Sequence, residues 1–568
     1  MRKILLTLLL AVAMTAGAVP ALRVWRTITQ PDGTQMKVML VGDEHFHYYI
    51  DENKNAYTLD SAGYLRDLPE SKIEKRQHAA VMRAKAMAPR RQQQFNPLSG
   101  KRKTLVILVN FKDKTFDNTL NNGNPKATFN AICNQEDYTN EWGAIGSVHK
   151  YFLDQSYNKF DINFDVVGPV TVSRNYSYYG ANGSNGDIDL KAGDMVREAV
   201  KLVKDSVNFK DYDWDGDGYA EQIVCIYAGE GEATGGSANT IWPHQYYLSE
   251  TSDGTVKLQG INIDNYLALN EIVKTEIKSY TGGGIPRTYY ETRLGGMGTL
   301  CHEFSHSLGL MDHYDTRENG GNYGMGSWDL MDYGSYGGPD DNGWVPTAMT
   351  AYERMFLGWL TPTELYDHRD SVKNMPYLQD SSSAYIIYNK NHTDEYFMLE
   401  NKGHERWDSY LPDEGLLVTH VDYNKSAWTY NTVNAGNPQL MTVVPADNDY
   451  SRSRSTDTDS DGQLGMTFPY GSQNYLDSTY FALNNRAEDG TKNLYCKVQG
   501  ITVNDDGTIN FGFVPDPRYE VATGLNRVSV SGAAAEGKVS QTYNLSGQRV
   551  DSSYHGIVIK DGKKYYQK

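Results

Sequence analysis

The chain has 568 residues, of which 71 are Asp or Glu and 54 are Lys or Arg, giving a net charge of −17. At about 150 residues per domain that length allows three or four units, and the acid excess removes the basic face that nucleic-acid phosphates require, so no nucleic-acid partner is expected. With 39% hydrophobic residues, 42 Tyr and 53 Gly, the composition suits a loop-rich extracellular protein and excludes disorder as the default. Four cysteines, Cys133, Cys225, Cys301 and Cys496, are too few and too scattered for a disulfide framework.

Residues Met1 to Ala21 open with Arg2 and Lys3, continue through an apolar stretch from Ile4 to Ala13 and end in small residues, Ala16-Gly17-Ala18 and Val19-Pro20-Ala21. This is the pattern of a secretory signal peptide, predicted over 1–21. No later stretch approaches about 20 uninterrupted apolar residues, so no transmembrane segment is expected. Residues 22–97 read as a pro-segment: strand-like pieces at Met36–Leu40 and His47–Ile50 precede a basic run with Lys75, Arg76, Arg83, Lys85, Arg90 and Arg91. Such a charged, Gln-rich run buries little apolar surface and is open to cleavage.

A core begins at Thr104–Phe111, a β-branched run predicted to be a strand buried on both faces. Helical pattern follows near Gly146–Leu153, strand near Phe160–Val167, and helix near Leu190–Val203 with Met195, Val196, Ala199, Val200 and Val203 on one stripe. Gln222–Tyr227 reads as a short buried strand and Gly298–Leu310 as a helix, so residues 98–362 are predicted to form an α+β domain. From 363 to 515 short strands alternate with turns (Ala384–Tyr388, Tyr396–Glu400, Gly415–Val421, Met441–Val444), spaced as in a β-sandwich. After Pro515-Asp516-Pro517, residues 521–568 are predicted to be a small β module with strands near Tyr543–Val550 and Gly556–Ile559.

The chemistry is concentrated in His302-Glu303-Phe304-Ser305-His306-Ser307-Leu308-Gly309-Leu310-Met311-Asp312. On a helix His302 and His306 lie one turn apart on the same face and can share one zinc, while Glu303 is displaced around the axis and is free to act as base towards a metal-bound water. The zinc lowers the pKa of that water towards about 7 and polarises the scissile carbonyl. A third ligand is needed. Asp312 is favoured because Gly309 permits a sharp exit from the helix; His313 and Glu353, the latter in the helical-looking Ala348–Leu357, are the rivals. Downstream, Gly326-Ser327-Trp328-Asp329-Leu330-Met331-Asp332-Tyr333 offers Met331 as a soft floor beneath a metal and Tyr333 as a donor to a developing oxyanion. Core packing for Met331 and a turn position for Tyr333 are the plainer readings. Cys301, beside the motif, reads as core filling.

The run Asp211-Tyr212-Asp213-Trp214-Asp215-Gly216-Asp217-Gly218-Tyr219-Ala220-Glu221 alternates carboxylates with turn formers, as calcium loops do, and Asp211, Asp213, Asp215, Asp217 and Glu221 are its candidate ligands. No Glu stands at the twelfth position, so it is not an EF-hand. An exposed Asp/Gly turn explains the same residues.

Taken together the motifs resemble the secreted bacterial metallopeptidases of the immune inhibitor A type. The matching pieces are Gly298-Thr299-Leu300-Cys301 running into the histidine motif, Asp312–Asp315, Ser327-Trp328-Asp329-Leu330-Met331, Leu357-Gly358-Trp359, Tyr227–Glu232, Ile241-Trp242-Pro243-His244 and Gly415–Asp422, spread from Thr104 to Phe513. The resemblance implies a metzincin-like fold, endopeptidase activity on proteins, zinc at His302, His306 and Asp312, Glu303 as base, calcium near the acidic turn, and an N-terminal pro-segment. Met311 departs from the Pro that such proteins commonly carry before the Asp. His244 and His420 match family positions and are read as packing residues. The tail, with Asn544–Val550 and Gly556–Lys560, resembles C-terminal sorting modules of exported proteins, implying contact with secretion machinery and a secreted or cell-surface location. For latency, the pro-segment has no Cys to cap a metal; Asp43 in Leu40–Glu44 resembles an aspartate plug, with His45 and His47 as other candidates, although a turn between strands accounts for the same residues. The rival function is a surface adhesin with a structural or inactive metal site. A metal-dependent glycosidase or amidase is a third, without the paired carboxylates a sugar site needs.

Overall fold

A computed structural model describes residues 19–22, 24–43, 46–60, 62–73, 98–183, 189–280, 286–317, 321–451, 464–520, 542–544, 549–551, 556–560 and 563–567. The chain forms two compact units divided after Val521. Among the described residues no helix is long and apolar enough to cross a membrane.

The larger unit begins with Val19–Leu22 in irregular conformation and an antiparallel meander, β1 (Trp25–Thr29), β2 (Gln35–Gly42), β3 (His47–Ile50), β4 (Ala56–Leu59) and β5 (Leu65–Asp67). The pieces at Met36–Leu40 and His47–Ile50 are its second and third strands. Of the basic run predicted as a linker, residues 74–97 lie outside the described residues.

Next comes a mixed six-stranded sheet built from β6 (Gly100–Asn110), β7 (Phe160–Thr171), β8 (Ile223–Glu230), β9 (His244–Tyr247), β12 (Asn265–Tyr280) and β13 (Pro286–Leu294), with a small hairpin, β10 (Val256–Leu258) and β11 (Ile261–Ile263), beside it. Strand β6 runs parallel to both β7 and β8, and β8 is parallel to β12. A strand with parallel neighbours on both sides needs helices over both faces. Alternation along β6 supplies the two surfaces: Val106 and Leu108 enter one core with Phe129, Val148 and Phe152, while Leu105, Ile107 and Val109 enter a second with Met195, Val196 and Val200. The helices start where their sequences allow. Asn124 caps Pro125–Asn134, whose Pro stands at the first turn, and Ser147 caps Val148–Gln155.

The helix Gly298–Ser307, which carries the histidine motif, lies in the first core through Leu300, Cys301 and Phe304. Phe304 packs against Phe152 and Phe164, with ring centroids 5.0 and 5.4 Å away, and burial of such a ring is worth about 1.5–3 kcal/mol. The helix ends about three residues earlier than its pattern predicts, because the chain turns at Gly309, whose φ is +106°. All four cysteines are unpaired and buried, and burial pushes the Cys301 thiol well above its ordinary value.

Beyond Leu360 a five-stranded sheet (β14 Thr363–Glu364, β16 Tyr385–Tyr388, β17 Glu395–Lys402, β18 Gly415–Asp422, β19 Met441–Val443) faces a four-stranded one (β15 Asp370–Met375, β20 Tyr475–Leu476, β21 Lys497–Val503, β22 Ile509–Val514). Phe397, Leu399, Leu416 and Val418 from the first sheet share one core with Val372, Val498 and Phe511 from the second. The other face of the first sheet, through Ile386, Met398, Leu417 and Met441, packs on Met311, Trp328 and Tyr352. This β-rich region is therefore welded to the segments around the histidine motif. The smaller unit is an antiparallel sheet of four strands, β23 (Thr542–Asn544), β24 (Arg549–Val550), β25 (Gly556–Lys560) and β26 (Lys563–Gln567), two more than the sequence predicts.

Candidate metal centre

His302 and His306 are fully or nearly fully buried on one face of Gly298–Ser307. Each ring is oriented from behind: His302 Nδ1 donates to the carbonyl of Leu330 and His306 Nδ1 to the carbonyl of Leu310, both at 2.9 Å. A carbonyl only accepts, so Nδ1 carries the proton and a neutral ring presents a bare Nε2. Burial favours that neutral form of His302, holding its pKa below the ordinary value despite Asp312.

The two Nε2 atoms are 3.1 Å apart, and Asp312 Oδ1 lies 3.1 Å from the one and 3.3 Å from the other. Two lone pairs and a carboxylate oxygen at these separations repel one another unless a cation lies among them. Ligands at 2.0–2.1 Å from a tetrahedral zinc stand about 3.3–3.4 Å apart, so the donor set fits zinc in type and spacing.

Asp312 reaches this position through the turn at Gly309. The Gly309 N–H donates to His306 O and the Leu310 N–H to Ser305 O, after which the His313 N–H bonds Met331 O. Asn431, which no sequence motif singles out, grips Asp312 from the β-rich region: its Oδ1 accepts the Asp312 N–H at 2.7 Å and its Nδ2 donates to Asp312 Oδ2. The only local clue is a Tyr-Asn-Thr triplet in a loop. Asn431→Ala is expected to weaken zinc retention about 10- to 100-fold in a chelator competition while leaving both histidines in place; unchanged retention would remove Asn431 from the centre.

The rival ligands do not join this trio. His313 Nδ1 donates to Asp329 Oδ1 at 2.9 Å, and Glu353 Oε2 accepts from the Thr350 N–H at 2.6 Å in a capping box. His313, Asp329 and Glu353 form a separate buried cluster. Burial opposes protonation of His313, yet Asp329 raises its pKa; burial and Asp329 together raise that of Glu353. Met331 is buried in the main core, directly after the Leu330 whose carbonyl orients His302. Tyr333 is half-buried with its ring 5.2 Å from that of Tyr336, in the wall of the adjoining cleft. His244 bonds Trp242 O and Tyr266, and His420 bonds Glu395 and stacks on Phe397, both as packing residues.

Glu303 is fully buried, and burial followed by the charge of Asp312 pushes its carboxyl well above the ordinary range. Its Oε1 accepts the N–H of Val19 at 2.8 Å. Val19–Leu22 lies along the cleft: Trp242 Nε1 donates to Val19 O, Tyr336 OH to Pro20 O at 2.7 Å, and the Leu22 N–H to Ala233 O. The expected plug residues lie elsewhere. Asp43 is buried in its own turn and accepts the Phe46 N–H, His47 stacks on Trp242 and bonds Glu232 at 2.9 Å, and His45 lies outside the described residues. Asp43 thus serves the turn between strands rather than a plug, and the segment that reaches Glu303 is Val19–Leu22, of which Val19–Ala21 lie within the predicted signal peptide.

The acidic turn brings Asp213, Asp215 and Glu221 together, with Gly216 and Gly218 at φ +77° and +88° making the bend. Asp211 is turned away to Asn208, and Asp217 Oδ1 accepts the Tyr219 N–H, so these two expected ligands are not gathered with the other three. Glu221 Oε2 accepts the Trp214 N–H while Oε1 is buried without a partner, and burial pushes its pKa up to about 8.

Two buried imidazoles one helical turn apart, a carboxylate delivered by a glycine turn and a further carboxylate beside them form the kind of donor set found in zinc metallopeptidases. Residues 93–360 match the immune inhibitor A peptidase M6 catalytic domain. It is 27% identical over 286 residues to the pre-pro-metalloprotease PrtV of Vibrio cholerae, which covers 45% of this chain and 29% of PrtV. It is 27% identical over 305 residues to immune inhibitor A of Bacillus thuringiensis subsp. alesti, covering 48% of this chain and 41% of the relative. The matched region is thus well under half of either relative.

Proposed function

We propose that the protein is a secreted zinc endopeptidase with a metzincin-like catalytic domain, made as a latent precursor, that hydrolyses peptide bonds of extracellular proteins. The observation carrying this reading is the convergence of His302 Nε2, His306 Nε2 and Asp312 Oδ1 within 3.1–3.3 Å beside the buried Glu303. These three atoms would hold a zinc ion, which would supply Lewis-acid activation of a water and of the scissile carbonyl. Glu303, beside the trio, would take the proton of that water and deliver it to the leaving nitrogen. Leu330 O and Leu310 O keep the imidazoles oriented throughout, and Trp242, Ala233 and Tyr336 offer hydrogen bonds to an extended backbone in the cleft. Tyr333 belongs to the wall of that cleft and is proposed as a donor to the developing oxyanion. The test is cleavage of a denatured protein by the processed chain, abolished by a chelator and restored by zinc. A folded, zinc-loaded chain that cuts no protein would favour the adhesin.

The domain reading proposed with it is a signal peptide, a pro-segment reaching to about residue 97, the catalytic domain, a β-sandwich to about 515 and a C-terminal sorting module from 521. Burial of Val19–Ala21 in the cleft favours signal-peptide cleavage after Ala16-Gly17-Ala18 over cleavage after Ala21.

Calcium is proposed at Asp213, Asp215 and Glu221, the orphaned buried Oε1 of Glu221 being the strongest support. Without the ion, folded Glu221 keeps its proton up to about pH 8 whereas the unfolded group loses it near its ordinary 4.5. Stability therefore falls as pH rises through that window. Calcium replaces the proton, so the rise in Tm on adding calcium is expected to be larger at pH 8 than at pH 5, equivalent to about 2.7 kcal/mol at a hundred times Kd. Glu221→Gln should abolish that difference; equal calcium shifts at both pH values in the unsubstituted protein would overturn the assignment.

A further inference from the structure

A cavity of about 300 Å³ opens beside the cleft, with Leu22 and Val24 at its mouth. Its apolar lining comprises Phe129 and Ile132 from the helix Pro125–Asn134, Leu269 from β12, and Leu300 from the helix of the histidine motif, one turn ahead of Glu303, while Lys274, Asp340 and Asp341 also border it. One wall is thus built on the element that positions the base, and cavity and centre are fixed relative to each other.

The contact at Glu303 supplies a register. A base that returns its proton to the leaving group must face the nitrogen of the residue that follows the scissile bond. The Val19 nitrogen occupies that place, 2.8 Å from Glu303 Oε1. Pro20, Ala21 and Leu22 then stand where the second, third and fourth residues of a substrate would lie on the leaving-group side. The backbone partners of this stretch, Trp242 for Val19, Tyr336 for Pro20 and Ala233 for Leu22, belong to the cleft and not to the pro-segment. The same groups can bond a substrate backbone once the segment departs. Space remains beside Leu22 even with the segment in place, so departure exposes a pocket larger than a leucine side chain.

Resting on the peptidase reading above, we infer that this cavity is a specificity subsite taking a large apolar side chain at the fourth residue after the scissile bond. Burial of a whole Leu or Phe side chain in such a pocket corresponds to about a ten- to hundredfold gain in kcat/KM over Ala. Aspartate there pays desolvation against the apolar lining and is worse than Ala.

The test is a series of quenched fluorescent peptides of one sequence, differing only at the fourth residue after the cut, assayed with the processed full chain. The expected order is Phe and Leu above Ala, and Ala above Asp, with the difference in kcat/KM. Ile132→Trp, which fills the cavity from a helix outside the metal centre, should level this series while cleaving a peptide that ends at the third residue as well as the unsubstituted enzyme does. Should that variant not fold, a random peptide library cut by the unsubstituted enzyme reads the same preference from the fourth position of its products. Equal cleavage of Phe, Ala and Asp peptides by an active enzyme would overturn the subsite and leave the peptidase reading standing. A zinc-loaded, processed chain that cuts no peptide would overturn both.

Discussion

Glu303→Gln is expected to keep its zinc and lose about 10²- to 10⁴-fold in kcat/KM, whereas His302→Ala loses the metal and the activity together. The separation follows from the geometry. Glu303 contributes no atom to the His302–His306–Asp312 trio, so its charge is dispensable for holding the ion. A glutamine has the same shape and its amide oxygen still accepts the Val19 N–H, so the precursor should fold as before. What the amide cannot do is take a proton from water. Asp312→Ala belongs with His302→Ala. Glu353→Ala should retain zinc but lose about 1 kcal/mol or more in stability, since Glu353 completes a capping box. Metal counting by mass spectrometry beside peptide cleavage resolves all four, and loss of zinc from Glu303→Gln would sink the division of roles.

The precursor and the processed chain should differ at least about a hundredfold in peptide cleavage. Val19–Leu22 meets the cleft through four backbone hydrogen bonds and the burial of Val19 and Ala21, contacts that individually are modest. Their force comes from tethering: a segment held on the same chain acts at an effective concentration near the millimolar range, so a weak intrinsic affinity of about 10 µM already leaves roughly one cleft in a hundred open. Cutting within residues 74–97 removes the tether and lets the segment diffuse away. The comparison is the initial rate on one fluorescent peptide before and after limited proteolysis, with a synthetic peptide of residues 19–29 added back. Restoration of inhibition by that peptide at micromolar concentration is the expected outcome. An uncut precursor as active as the processed chain would show that Val19–Leu22 leaves the cleft unaided.

Much of the centre was legible because it is local. His302, Glu303 and His306 are placed by helical periodicity alone, and Asp312 follows from a glycine that only a left-handed turn explains. The two-faced burial of Thr104–Phe111 was legible for a similar reason, since alternation and β-branching are written along one strand. What escaped notice depends on distant chain. Asn431 stands 119 residues from Asp312 and has the local signature of any loop asparagine. Val19 was hidden by the leader pattern around it, which explains small residues without reference to a cleft 284 residues away in sequence. Spacing along the acidic turn could not separate Asp213, Asp215 and Glu221, which converge, from Asp211, which Asn208 engages, and Asp217, which accepts the Tyr219 N–H. His313 and Glu353 carry metal-binding side chains, but Asp329 and Thr350 had already engaged them.

The grip of Asn431 on Asp312 also bears on how far the catalytic domain can be trimmed. The family match ends at residue 360, yet the orientation of the aspartate is supplied from beyond that point, and the sheet carrying β16–β19 shares a core with Met311 and Trp328. A fragment cut at the family boundary would expose that apolar face and release Asp312 at once. Fragments or chimaeras meant to bind zinc need to extend through β19, so the smallest unit that can be inherited, swapped or expressed as a working centre is longer than the segment its relatives have in common with it.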